Sequence, residues 1–206
     1  MSVRIIIKDS EVRLSYANIW TPRENDEGDE AKYGTAILIP KSDTATIKMI
    51  QDGIKKALEE GKGKFGGKIP PVATLKLPLR DGDAEKDLEK NPEYAEHYFL
   101  NANSKRAPQI VGPDNRPITD ENEVYSGCYA HISFDLYAYN HPKGGKGVAA
   151  GLGNIQKVRD GDALGGAVIT AEDDFGPAPG GATMDFGTGG FGATSTEDSE
   201  LNDLFG

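Results

Sequence analysis

The stretch "GCYAHISFDLYAYN", residues 127–140, alternates without a break. Cys128, Ala130, Ile132, Phe134, Leu136 and Ala138 fall on one side, and Tyr129, His131, Ser133, Asp135, Tyr137 and Tyr139 on the other. A period of two is the signature of a strand with one face in a core and the other turned outward. Downstream, "HPKGGKG" (141–147) supplies a turn and "VAAGLGNIQKV" (148–158) a returning strand.

Upstream the pattern repeats. Between Glu11 and Trp20, Val12, Leu14 and Tyr16 share one face, and Arg13 and Ser15 the other. An acid-rich loop, "TPRENDEGDE", leads to "KYGTAILIP" (32–40), a second strand stopped by Pro40. Residues 42–60 change period. Ile47, Ile50, Ile54 and Leu58 recur every three or four positions behind a Ser42 or Asp43 cap, with Gly61 at the far end, which predicts the one clear helix. "GKGKFGGKIPP" is a Gly-rich basic loop, "VATLKLPLR" (72–80) a further predicted strand, residues 81–96 an acidic insertion, and "HYFLNANSKR" (97–106) a strand entering a basic loop. Trp20 is expected in the core. A mainly β chain with one helix between early strands points to a five-stranded antiparallel Greek-key barrel with long loops, the oligonucleotide/oligosaccharide-binding (OB) fold.

The 206 residues carry 33 acids against 23 bases, a net charge of −10, but unevenly. Residues 171–206 hold 8 acids and no base, whereas residues 1–170 hold 25 acids and 23 bases. The expected organisation is therefore an OB domain over 1–170 and a disordered Gly-rich acidic tail over 171–206, whose composition buries too little apolar surface to offset ordering entropy. An acidic total argues against nucleic-acid binding only when the acids sit in the body, so that argument lapses here. Cys128 is the single cysteine, which excludes an intramolecular disulfide and a Cys-based zinc site. "MSVRIIIK" does not read as a leader and no apolar run approaches a membrane span, so no membrane partner is expected.

Three constellations suit a nucleic-acid strand. Lys62, Lys64, Lys68, Lys76 and Arg80 follow one another without an acid, around Phe65. Lys105 and Arg106 are adjacent among small polar residues. Tyr129, Tyr137 and Tyr139 present rings from the outward face of the long strand, followed by Lys143, Lys146, Lys157 and Arg159. Ammonium and guanidinium groups neutralise phosphates and release counterions, and a ring stacks on any base. Each has a plainer reading: solvated loops, or tyrosines that favour strands and cover a second layer. Catalytic motifs are missing. There is no HExxH, Walker loop or GxSxG, and "GLGNIQ" lacks a third dinucleotide-loop glycine. The pairs Asp81/Asp83 and Asp160/Asp162 suggest Mg²⁺ in a nuclease, but Asp-Gly is foremost a turn signal. Neither a metal nor a cofactor is expected.

The stretches "VRLSYANIW", "KYGTAILIPKSD", "KLPLRDGD", "FLNANSKRAP", "VYSGCYAHISFDLYAYN" and "GVAAGLGNIQKVRDGDALGG" resemble, in this order over roughly residues 10–175, a phage family long known only as a domain of unknown function. Its members include single-stranded DNA-binding proteins. The resemblance implies an OB barrel, single-stranded DNA as ligand, a role in phage DNA replication and recombination, and action in the cytoplasm of the infected host. The ending "STEDSELNDLFG", with Glu197, Asp198, Glu200, Leu201, Asp203, Leu204 and Phe205, is similar to the tails by which such proteins recruit polymerase, helicase or primase. Gly206 after Phe205 departs from that pattern. Self-association is left open. An adaptor acting through the tail without nucleic acid is the alternative reading.

Overall fold

A computed structural model describes residues 2–24 and 30–165. The expected disordered tail, with Glu197, Asp198, Glu200, Leu201, Asp203, Leu204 and Phe205, lies outside the described residues. The strand that opens the sequence reading is β6 (Tyr129–His141), and its inward residues from Ala130 to Ala138 are all buried. The other strands are, in chain order, β1 (Val3–Arg23), β2 (Lys32–Pro40), β3 (Arg80–Asp81), β4 (His97–Ser104), β5 (Ile110–Val111) and β7 (Gly145–Arg159).

The sheet order is β3-β4-β2-β1-β6-β7-β5, and a parallel pairing of Ala102 with Ala150 joins β4 to β7. The ring β1–β2–β4–β7–β6 is thereby closed, antiparallel at every seam but one, which is the OB topology. Closure removes the exposed edges that an open five-stranded sheet would offer to other chains. Inside the ring, Phe134, Leu136, Leu14, Ile37, Leu100 and Ile155 form one core, each such burial contributing ~1.5–3 kcal/mol. A smaller cluster of Leu38, Tyr94 and Phe99 sits under the 81–96 insertion; Tyr94 meets Phe99 edge-on at 5.1 Å.

Helix α1 spans Thr44–Glu60, and Asp43 caps it by accepting from the Thr46 amide at 3.1 Å. Ile47, Ile50, Ile54 and Leu58 are buried as the spacing predicts. Gly53 lets the helix approach closely, since a Cβ there would stand 2.7 Å from Ile5 Cδ1 and 3.0 Å from Leu136 Cδ1.

Three expectations need correction. The first strand begins at Val3 rather than near Glu11: Val3, Ile5 and Ile7 face inward, while the outward Ile6 is 55% exposed and masks the alternation. Tyr16 faces solvent instead of the core, because a register shift between Ser15 and Asn18 turns it out. Residues 72–80 are mostly loop: a 3-10 turn (Val72–Thr74) and a lone bridge from Lys76 to Gly147 replace the predicted strand. Pro78 cannot donate to a ladder, and only Arg80 and Asp81 pair as β3. Trp20 is half-buried against the core and donates through Nε1 to the Val124 carbonyl at 2.9 Å.

Candidate nucleic-acid interface

In an OB barrel the outer face of the second and third barrel strands, with the loops joining strands one to two and four to five, receives oligonucleotides. Here those strands are β2 and β4, and the turn between β6 and β7 carries Lys143. Strand alternation sends Ala102 and Leu100 into the core and leaves Asn101 and Asn103 exposed on the outside. Gly34 on the neighbouring β2 leaves room for Asn103, whose Oδ1 would stand 2.3 Å from a Cβ at that position. Across the parallel seam the outward residues of β7 are small. Tyr137 pairs with Ala149, and its Cε1 lies within 3.5 Å of where a Gly151 Cβ would be.

The result is a cleft of about 570 Å³ lined by Lys32, Lys76, Arg80, Asn101, Asn103, Lys105, Tyr137 and Tyr139, among others. The 72–80 loop is fixed to its rim by two backbone bonds. The Lys76 amide donates to the Lys146 carbonyl at 2.9 Å, and the Val148 amide to the Lys76 carbonyl at 3.0 Å. A second cleft of about 480 Å³ shares Lys32, Asn101 and Asn103 and runs on to Tyr16, Arg23, Lys86 and Tyr94.

The structure thus brings together Lys76, Arg80, Lys105, Tyr137 and Tyr139 from the sequence-predicted set, with Lys143 and Lys146 exposed on the adjoining turn and strand. Two of these cations already have partners. Arg80 donates through Nε to Glu85 Oε2 at 2.6 Å and lies 4.9 Å from the Phe99 ring centroid; Lys105 pairs with Glu30. Among the described residues, Lys76, Lys143 and Lys146 form no ion pair.

The other predicted residues lie elsewhere or are engaged. Lys62 pairs with Glu59, Lys64 donates through Nζ to the Ala138 carbonyl at 2.7 Å, and Phe65 packs half-buried against the core. Lys68 and Arg106 are exposed outside the two clefts. Tyr129 sits eight residues from Tyr137 along β6, about 27 Å at the usual strand rise. Its ring is covered: the Arg159 guanidinium carbon lies 3.4 Å and that of Arg13 5.8 Å from the centroid. Arg159 is held there by Glu11 at 2.7 Å. Lys157, only 15% exposed along its side chain, pairs with Asp160 at 2.8 Å; burial works against its charge, and Asp160 more than offsets this, raising its pKa.

The aspartates of the two Asp-Gly-Asp turns are engaged within the fold: Asp160 pairs with Lys157 and accepts from the Tyr125 hydroxyl, and the Asp162 backbone carbonyl accepts from Arg13. Asp81 and Asp83 grip Lys41 at 2.6 and 2.7 Å, and hydrogen bonding to that ammonium holds both carboxyls below their ordinary range. Asp81 also accepts the Asp83 amide, and Asp83 the Glu96 amide. Among the described residues no three His, Cys, Asp or Glu side chains gather as a metal site.

The two clefts also take in Lys32, Asn101, Asn103 and Tyr16, which the sequence alone does not single out. The asparagines carried a signal, because Asn is depleted in strands and two at i, i+2 on an outward face call for another reason.

The family model of the Enterobacter phage Enc34 single-stranded DNA-binding protein matches residues 3–186. A protein designated p50 of Acyrthosiphon pisum secondary endosymbiont phage 1 is 33% identical over 177 residues, covering 82% of this chain and 91% of p50. Among solved structures, the Enc34 single-stranded DNA-binding protein in complex with ssDNA superimposes with a TM-score of 0.67 at 24% identity, over 79% of this chain and 90% of that one. The single-stranded DNA-binding protein gp2.5 of bacteriophage T7 gives 0.57 at 13% identity, over 88% and 98%. At these identities the structural likeness concerns the fold.

Proposed function

The chain belongs to the family of the phage Enc34 single-stranded DNA-binding protein, and from that premise we propose that it binds single-stranded DNA along the outer face of β2 and β4. The observation that carries the reading is one cleft in which Lys76, Arg80 and Lys105 stand beside Tyr137 and Tyr139. Cations track a phosphate backbone and rings stack on bases without regard to sequence. Lys143 and Lys146 extend the charge along the turn; Lys32 adds a cation on the β2 side, and Asn101 and Asn103 offer amides to base edges. Duplex DNA hides its base faces and cannot use the tyrosines.

In this reading the protein acts by binding alone. It coats and protects single strands during phage DNA replication and recombination, in the cytoplasm of the infected host. Residues 1–170 hold the DNA and residues 171–206 meet partners. A tethered polyanion has an appreciable effective concentration near the cleft and competes with DNA for it. Once displaced, Leu201, Leu204 and Phe205, set among Glu197, Asp198, Glu200 and Asp203, are available to a polymerase, helicase or primase.

The test is fluorescence anisotropy of a labelled oligothymidine against the full chain and a variant lacking residues 171–206. Binding that weakens steeply with salt, and tightens on truncation, is expected. Absence of saturable binding at low salt refutes the DNA reading, and weaker binding by the truncated chain refutes the competition.

A further inference from the structure

We propose that Tyr16 is a second base-stacking platform, turned out of the barrel by a β-bulge so that a strand leaving Tyr137 meets a ring at the other end of its path. The inference rests on the DNA-binding reading above and extends it to a residue on β1.

The local geometry is unusual. Val12 and Leu14 are fully buried, and alternation would send Tyr16 in after them. Between the pairs Ser15↔Ala36 and Asn18↔Gly34, however, β1 advances three residues while β2 advances two. The extra residue is a bulge, a device that re-aims a side chain. Ala17 packs against the core in its stead, while Ser15, paired with Ala36 on the face opposite Leu14, is buried and its carbonyl accepts from the Thr35 hydroxyl at 3.0 Å. Tyr16 is left with φ +47° and 54% of its surface exposed. L-residues with large side chains avoid that backbone region, whereas Gly and Asn adopt it readily. A bulky ring has therefore been placed where the backbone disfavours it and then kept out of the core. Such outliers gather at functional positions.

The ring is also positioned. Its hydroxyl donates to Asn91 Oδ1 at 3.0 Å, fixing one edge, and Lys86 Nζ stands 5.8 Å from the centroid. The cleft it borders shares Lys32, Asn101 and Asn103 with the cleft of Tyr137. From β6 to β1 across β7, β4 and β2 is four inter-strand steps, an arc of about 19 Å. Arg23 and Lys86 offer phosphate charge at the Tyr16 end.

The plainer role is that Tyr16 only ties the 81–96 insertion to the barrel through Asn91. Tyr16→Phe removes that tie and keeps the ring; Tyr16→Asn removes both and suits the left-handed backbone. Each variant is titrated with an oligothymidine and with an abasic oligonucleotide of equal length, and each is melted. Tyr16→Asn should bind the oligothymidine about 5- to 150-fold more weakly, the equivalent of ~1–3 kcal/mol for one stacked base. Its affinity for the abasic strand should stay within twofold of wild type. Tyr16→Phe should remain within twofold on both strands, and Tyr16→Asn should melt no lower than Tyr16→Phe. The proposal is overturned if Tyr16→Asn keeps its oligothymidine affinity, loses equally on the abasic strand, or melts well below Tyr16→Phe. It is overturned too if Tyr16→Phe loses as much affinity as Tyr16→Asn. Wild-type protein that binds neither strand at low salt removes the DNA-binding reading itself, a result distinct from all of these.

Discussion

Replacing Lys76, Lys143 and Lys146 together by glutamine removes three ammonium groups from the β6–β7 end of the cleft. All three are exposed and none is in an ion pair among the described residues, so each releases condensed counterions when it meets a phosphate. On single strands each contact contributes about 0.7 to the slope of log K against log salt. Three lost contacts flatten the slope by about 2 and weaken binding roughly 100-fold at ~0.1 M salt. Arg80 and Lys105 provide the internal contrast. They exchange Glu85 and Glu30 for phosphate rather than shedding free counterions, so replacing them should flatten the slope less per residue. Surface changes of this kind usually alter stability by under ~0.5 kcal/mol, and a melting curve verifies that the triple variant is folded. The assay is anisotropy of an oligothymidine at five or more salt concentrations. A triple variant with the wild-type slope would show that the phosphate path runs elsewhere.

Three further outcomes are expected. Tyr137→Ala should cost about 5- to 150-fold in oligothymidine affinity, the equivalent of ~1–3 kcal/mol per stacked base, whereas Tyr129→Ala, whose ring already lies under Arg159 and Arg13, should leave affinity within twofold and lower the melting temperature. Asp43→Ala should destabilise the chain by about 1 kcal/mol through the lost helix cap, read by urea unfolding. Asp81 and Asp83 have folded pKa values below their unfolded ones because of Lys41, so their contribution is present above the unfolded carboxylate pKa and is lost as pH falls through that range. A double Asp81→Asn/Asp83→Asn variant should therefore lose less melting temperature than wild type between pH 6 and pH 3; an identical loss would contradict the Lys41 clamp.

The elements with an unbroken period were legible before the structure: β6, β7, β4, β2 and α1 follow from alternation or three-to-four spacing, and with them the barrel. The failures have local causes. Ile6, outward and apolar, hid the alternation of Val3, Ile5 and Ile7, and one extra residue at Tyr16 inverted the expected face. Residues 72–80 carry a strand-like composition, yet Pro78 and the single bridge at Lys76 leave them as a loop across β7. The cleft was legible in part, since Tyr137 and Lys76 stand out in the sequence by type. What could not be read was which of five neighbouring cations reach it. Lys64 and Phe65 turn back onto β6 and the core, while Lys76 and Arg80 pass over β7 and β4. Nor does any linear pattern announce that Arg13 and Arg159, 116 and 30 residues from Tyr129, would close over its ring.

In the proposed complex the DNA lies on one face of the barrel, between Tyr137 and the outer surface of β4. Photo-cross-linking of an oligonucleotide carrying 5-iododeoxyuridine, followed by mass spectrometry of the digested full chain, tests that placement most directly. Cross-links are expected on peptides containing Tyr137, Tyr139 or Asn101–Lys105. Cross-links assigned by fragmentation to Tyr129 or to helix α1, with none on Tyr137, Tyr139 or residues 101–105, would contradict it.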